Sequence, residues 1–290
     1  MNDGHPLEFG AFITPRSRSP FAAVELSRLA ERVGFDLVTF QDHPYQASLL
    51  DTWTLMSYVA SQTDRIRIAP NVINVPLRPP AVLARAAASL DLLSGGRFEL
   101  GLGAGAFWDA IEAMGGNRLT QGQAITALEE AIAVIRGIWD TDAPGGVHAG
   151  GGYHSVAGAQ RGPRPAHPVP ILVGSYKPRM LELTGRLADG WLPSQPYLTS
   201  PSLSDANRII DDAAVAAGRN PGDVRRLLNL RPVPGRDAHD WAEELTTLAL
   251  QEGISLFILG SDDPRTLQAF AEDVAPATRE LVAAELGDLT

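Results

Sequence analysis

Short apolar runs rich in β-branched and aromatic residues alternate along the chain with longer stretches whose apolar residues recur every three or four positions. The first pattern marks buried strands, the second helices with one core-facing stripe. The runs predict strands near 8–14, 36–42, 66–72, 97–102, 170–174, 190–194, 225–233 and 255–260. Helices are expected near 20–33, 51–62, 79–93, 121–139, 178–188, 201–217, 238–251 and 263–285. The fourth helix is the clearest, with Ile125, Leu128, Ile132, Ile135 and Trp139 on one stripe. Glycines 34, 96, 190 and 253 stand just before strand runs, where a left-handed residue closes a helix. Ser19-Pro20, Pro178, Ser200-Pro201 and Asp263-Pro264 stand where helices open, a position that tolerates the missing proline amide.

Eight strands, each followed by a helix, within 290 residues predict a (β/α)8 TIM barrel, one domain over 1–290. The exception is an irregular insertion between helix 4 and strand 5, Asp140 to Pro170, too rich in glycine and proline for a helix. Tyr153-His154-Ser155-Val156 suits one short strand of a hairpin there, and a loop of this length either covers an active-site mouth or carries no function. The stretch RFELGLGAGAFWDA raises a competing fold, because Gly101, Gly103 and Ala106 fit the relaxed G-x-G-x-x-G/A turn of a dinucleotide-binding unit. Such a unit needs a helix directly after the glycines and a strand ending in an acid about 20 residues on. A long helix occupies that place instead, so the glycines belong at the top of barrel strand four, where a ligand can approach bare backbone.

Composition narrows the chemistry. A formal charge of −10 argues against a nucleic-acid partner but leaves room for a locally held anion. There is no cysteine, so disulfides and thiolate-held metals are excluded. No run approaches membrane-spanning length and the start has no secretory pattern, so a cytoplasmic enzyme without a membrane partner is expected. Catalytic groups of such barrels sit at the carboxyl ends of the strands. Those ends read Thr14-Pro15-Arg16, Gln41-Asp42-His43-Pro44, Asn71-Val72-Ile73-Asn74, Gly103-Ala104-Gly105, Gly174-Ser175-Tyr176, Ser194-Gln195, Arg231-Pro232 and Gly260-Ser261. Amides, hydroxyls and bare backbone dominate. The histidines are scattered, which argues against a metal site, and no paired acids suit a glycosidase. His43, just past strand two, either contacts a ligand or caps a loop, and Asp42 either orients its imidazole or bonds a nearby amide. Gly174 to Arg179 opens the fifth helix, where free amides and Arg179 suit a phosphate; an ordinary strand-to-helix junction reads the same way.

At these residues the sequence resembles the bacterial-luciferase-like superfamily of flavin- or deazaflavin-dependent barrels. The resemblance rests on GFDLVTFQDHP, APNVINVPLRPPAVLARAAASLDLLSGGRFELGLGAG, VPILVGSYKPRMLELTGRLADGWLPS and LFILGSDDPRTLQAFAEDVAP. Within the superfamily, QDHP and GSYKPRMLELTGRLADGW are more similar to the branch that uses coenzyme F420. That resemblance implies an oxidoreductase moving a hydride between deazaflavin C5 and a small organic substrate, with His43 as the catalytic residue. It places Asp42, His43, Asn71, Val72 and Asn74 by the ring, with a non-proline cis peptide at Asn71-Val72. Gly103 and Gly105 would pass beside the cofactor, and Gly174, Ser175, Tyr176, Pro178 and Arg179 would hold its phosphate. It also implies a homodimer packed through helices beside strands two and three. One departure stands out: Ala106 replaces the glutamate that serves some sugar-phosphate dehydrogenases as proton donor, which argues against that activity and leaves the donor unassigned. Phe107 and Trp108 follow it, aromatic residues that either shape the substrate side or pack the loop. An FMN-dependent monooxygenase and a catalytically silent flavin-binding barrel are the alternatives.

Overall fold

The computed structural model describes residues 4–198 and 201–287. Its first half runs β1 (Glu8–Phe12), α1 (Ala22–Val33), β2 (Leu37–Phe40), α2 (Thr52–Ala60), β3 (Arg67–Pro70), β4 (Ile73–Asn74), α3 (Pro80–Ser94), β5 (Leu100–Gly103), α4 (Trp108–Ala113) and α5 (Gln121–Trp139). Next come β6 (Val147–Gly150), β7 (Ser155–Ala159), β8 (Ile171–Val173), α6 (Pro178–Leu187), β9 (Gly190–Trp191) and α7 (Leu203–Ala216). The chain ends on β10 (Arg225–Leu230), α8 (Ala238–Glu252), β11 (Ile254–Gly260), α9 (Pro264–Ala269) and α10 (Ala275–Gly287).

Nine strands form one parallel sheet in the order β3-β2-β1-β11-β10-β9-β8-β5-β4. The sheet closes on itself, because the Ile68 amide donates to Arg97 O at 2.8 Å and the Glu99 amide to Ile68 O at 3.0 Å. Thus β3 and β4 are two pieces of one barrel strand, interrupted at Asn71-Val72, whose peptide bond is cis. The expected eightfold barrel is present. Its lumen is filled by Leu37, Ala69, Leu172, Leu192, Leu227, Leu256 and Ile258, with Phe12 and Val72 packed against them. A larger apolar layer lies between strands and helices, including Ile68, Leu100, Leu128, Ile132, Ile135 and Phe257. Each such buried side chain contributes roughly 1.5–3 kcal/mol relative to exposure.

The amino-terminal end of the barrel is tied by charge. Arg67 donates to Glu8 and Glu99, each at 2.5 Å, and Arg225 pairs with the same two carboxylates. Burial works against the Arg67 charge, but the two carboxylates outweigh it and hold its pKa up. These four residues stand at or beside the first positions of β1, β3, β5 and β10, so strand register brings them together.

Three elements differ from expectation. The insertion folds as an antiparallel β6–β7 hairpin whose strand starts at Ser155, leaving Tyr153 and His154 in the turn. The hairpin strands pack along α5, and the turn residues Gly152, Tyr153 and His154 line a cavity together with Val75 and Pro76 after β4 and Ala104 after β5. Glu130 of α5 accepts the amides of Gly152, Tyr153 and His154 at 2.7–2.9 Å, which pins the turn. The last predicted helix is interrupted by a π-helical turn over Phe270–Val274, just before Pro276, whose missing amide cannot continue a regular ladder. The helix expected from Ser200-Pro201 is capped at Ser202, whose side chain accepts from the Asp205 amide; Ser200 lies outside the described residues.

Candidate active site

The carboxyl ends of β2, β3, β9 and β10 meet in a polar crossbar over the lumen. Asn71 Nδ2 donates to Asn229 Oδ1 at 2.8 Å, and Asn229 Nδ2 donates back to Asn71 Oδ1 at 3.1 Å. Asn229 Nδ2 also reaches Ser194 Oγ at 3.0 Å, and Asn71 Nδ2 reaches Thr39 Oγ1 at 3.2 Å. Buried amides need such partners, and this pair supplies them mutually. Asn229 and Thr39 are absent from the sequence-predicted set. Their signal is a polar residue inside an apolar run, LLNL for Asn229 and LVTF for Thr39.

Above the crossbar, Val72 is the wedge. A Cβ added at Gly103 would lie 2.7 Å from Val72 Cγ2, and one at Gly101 would lie 2.2 Å from Pro70 O. At Gly174 the nearest atom is again Val72 Cγ2, at 3.4 Å. The strand-four glycines therefore make room first for the interrupted strand and its valine, and the rim above inherits its shape from them. Gly105 has φ +93°, a conformation that favours glycine, and lies against Pro76, Ile111 and Trp108. Trp108 opens α4 and packs the loop, while Phe107 is exposed beside His43.

Asp42 is buried and fully engaged. It accepts from Arg78 Nη2 at 2.7 Å, from Arg78 Nε at 2.9 Å and from the Asn74 amide at 3.0 Å. Of the two readings open for Asp42, bonding to a nearby amide is the one observed. Burial opposes the Arg78 charge, yet the Asp42 and Asp51 carboxylates hold its pKa above the ordinary value. This bidentate pair fixes the β2 end relative to the turn after β4, and so positions His43. The imidazole is half-buried, with Nδ1 2.7 Å from the Tyr45 hydroxyl and its ring packed edge-on against Phe107 at 5.6 Å. Burial lowers the His43 pKa, partly offset by the Asp42 charge, so His43 is neutral at neutral pH. Tyr45 and Arg78 carry no local sequence signal, since each matters only through a partner that folding brings near.

The start of α6 lies on the same rim. Pro178 occupies its first turn and no side chain caps it. The Ser175 hydroxyl is taken by Thr184 at 2.9 Å and its carbonyl by Trp191 Nε1 at 2.9 Å, which buries the residue and fixes the turn into α6. The Tyr176 hydroxyl accepts the Ser194 amide at 2.9 Å, which ties the fifth strand end to the sixth. Arg179 is exposed, with its guanidinium 3.3 Å from where a Gly122 Cβ would stand. An uncapped helix start with an adjacent arginine suits a phosphate. Asn74 Oδ1 is buried without a partner among the described residues, an acceptor left for a ligand N–H or O–H. A ligand with a hydrogen-bond donor and an anionic tail would meet both features. Among the described residues no cluster of His, Asp and Glu could hold a metal.

The model of the luciferase-like monooxygenase family matches residues 7–286. The F420-dependent glucose-6-phosphate dehydrogenase of Amycolatopsis mediterranei (strain U-32) is 30% identical over 246 residues, covering 83% of this chain and 73% of that one. The 5,10-methylenetetrahydromethanopterin reductase of Methanolobus tindarius is 34% identical over 218 residues, covering 75% and 63% respectively. Among solved structures, an F420-dependent secondary alcohol dehydrogenase in complex with an F420-acetone adduct superposes with a TM-score of 0.80 at 20% identity. That superposition covers 94% of this chain and 99% of the other, a likeness of fold. With the match running almost end to end over a closed parallel barrel, the chain belongs to the luciferase-like monooxygenase family.

Proposed function

We propose that this protein is a coenzyme F420-dependent oxidoreductase acting on a small organic substrate. The observation that carries the reading is the unpartnered Asn74 Oδ1 on the same rim as the uncapped start of α6. The relatives named as F420-dependent support it. F420, when bound, supplies a hydride exchanged at C5, chemistry that no side chain offers. Val72 and the Asn71–Asn229 crossbar form a firm floor beneath the ring, Asn74 offers its free acceptor, and Gly103 and Gly105 keep the adjoining backbone bare. Gly174, Ser175 and Tyr176 supply backbone, with Pro178 and Arg179, for the phosphate. His43 contacts the substrate and exchanges a proton with it, while Asp42 holds the loop in place through Arg78.

Sugar phosphates are disfavoured as substrates. Ala106 is exposed and the nearby acids Asp109 and Glu112 are both engaged by Arg118, so no free carboxyl stands where a proton donor would be needed. The rival reading is an FMN-dependent monooxygenase, favoured by the family's own description. A second copy of the chain is the expected partner. Phe21, Tyr58, Val82, Leu92 and Leu93 are exposed at α1, α2 and α3, and the Phe21 and Tyr58 rings lie 6.2 Å apart, which joins the apolar surfaces of α1 and α2. A cytoplasmic location fits the absence of cysteine, and among the described residues no helix is long and apolar enough to cross a membrane.

Parallel equilibrium titrations with F420 and FMN test the cofactor. Saturable F420 binding is expected, weakened about tenfold by Arg179→Ala, which is about 1.4 kcal/mol. Tight FMN binding with none for F420 refutes the proposal.

A further inference from the structure

His43 stands at the mouth with one ring nitrogen engaged and the other open. Nδ1 lies 2.7 Å from the Tyr45 hydroxyl, and Nε2 has no partner among the described residues. What surrounds the phenol decides which group donates. Asn74 Oδ1, the neighbouring amide oxygen, is without a partner and so does not take the phenol proton. The charged neighbour Asp42 makes its hydrogen bonds to Arg78 and the Asn74 amide and none to the phenol. Among the described residues the phenol proton has one acceptor, His43 Nδ1. A neutral imidazole that accepts at one nitrogen carries its own proton on the other.

We infer that Tyr45 is a positioning residue that fixes neutral His43 as the Nε2–H tautomer, so that His43 meets the substrate as a donor. This selects the substrate class: a carbonyl-type acceptor whose oxygen gains negative charge as it is reduced. Burial raises the Tyr45 pKa, Asn74 lowers it and Asp42 raises it, with a net increase that keeps the phenol protonated at neutral pH. Phe107, edge-on to His43 and 5.9 Å from the Tyr45 ring, holds the pair in register.

The direction of transfer rests on the F420 reading above; the tautomer is a property of the ligand-free protein. In a reduction the substrate carbon receives a hydride from the reduced deazaflavin, and the C=O π pair moves to oxygen. That oxygen takes the proton from Nε2 as the phenol proton of half-buried Tyr45 shifts to Nδ1; after the product leaves, Nε2 takes a proton from solvent and Nδ1 returns its own to Tyr45, which restores the starting tautomer. This arrangement supplies the proton donor that Ala106 cannot.

The test is nitrogen NMR of protein labelled with 15N-histidine, without cofactor, with the His43 signals identified by their loss in His43→Gln. Wild type is expected to show neutral His43 as Nε2–H, and Tyr45→Phe a loss of that preference at an unchanged unfolding midpoint. In turnover, Tyr45→Phe is expected to lower kcat about tenfold with the F420 Kd within about twofold. Wild-type His43 protonated at Nδ1, or the same tautomer in Tyr45→Phe, overturns the inference. Failure of F420 to bind removes the proposed function and leaves the tautomer result to be judged alone.

Discussion

Both ends of this barrel are polar, and they use polarity in opposite ways. At the amino-terminal end two glutamates and two arginines cancel one another, with Glu99 Oε2 the atom left unpaired. At the carboxyl end the crossbar amides are satisfied, but the layer above leaves Asn74 Oδ1, His43 Nε2 and the α6 start open. One end spends its side chains on closing the strands, the other reserves them for something not part of the chain. Glu99 Oε2 belongs to a carboxylate already paired with Arg67 and Arg225 through its other oxygen, whereas Asn74 Oδ1 and His43 Nε2 are open on neutral side chains at the mouth, and that difference separates the site from the seal.

Substitutions at the two ends should therefore separate stability from activity. The largest effect is expected from Glu99→Ala, which leaves Arg67 and Arg225 short of a buried partner. A loss of about 3–5 kcal/mol in urea unfolding should follow, with cofactor affinity of the folded fraction unchanged. His43→Ala should do the reverse, cutting turnover about a hundredfold while the unfolding free energy moves by about 0.5 kcal/mol or less. Turnover that continues at the wild-type rate would remove His43 from the chemistry. Gly103→Ala lies between the two. Its new Cβ meets Val72 at 2.7 Å and must displace the valine. A stability cost of about 1–3 kcal/mol and a clear loss of cofactor affinity are expected; lost stability with full affinity would mean that Val72 does not floor the site.

The smallest effect is on pH. Burial lowers the pKa values of His43 and His154 from 6.5, so the unfolded chain binds more protons in the window between the folded values and 6.5. The contribution to stability is complete above 6.5 and declines as pH falls through the folded values. An NMR titration placing His43 above 6.5 would contradict the burial described here.

Periodicity and punctuation made the barrel legible, because a core-facing stripe and a helix-closing glycine are local. Glycine-rich backbone at the fourth strand end and the histidine after β2 were legible for the same reason. The Glu8–Arg67–Glu99–Arg225 tie was not, since its members come from four strands that only register aligns. Asn229 and Arg78 escaped likewise: each gains meaning from Asn71 or Asp42, far away in sequence. The short helix α4 offers too few turns for a periodic signal, and the hairpin start slipped because Glu130, on another element, sets the turn.

A crystal soaked with F420 tests the central claim most directly. The expected result is the deazaflavin ring against Val72 above the Asn71–Asn229 crossbar, with Asn74 Oδ1 bonded and the phosphate at the start of α6 beside Arg179. A ring bound elsewhere, or a mouth that admits no ring while Asn74 Oδ1 stays unpaired, would contradict the account.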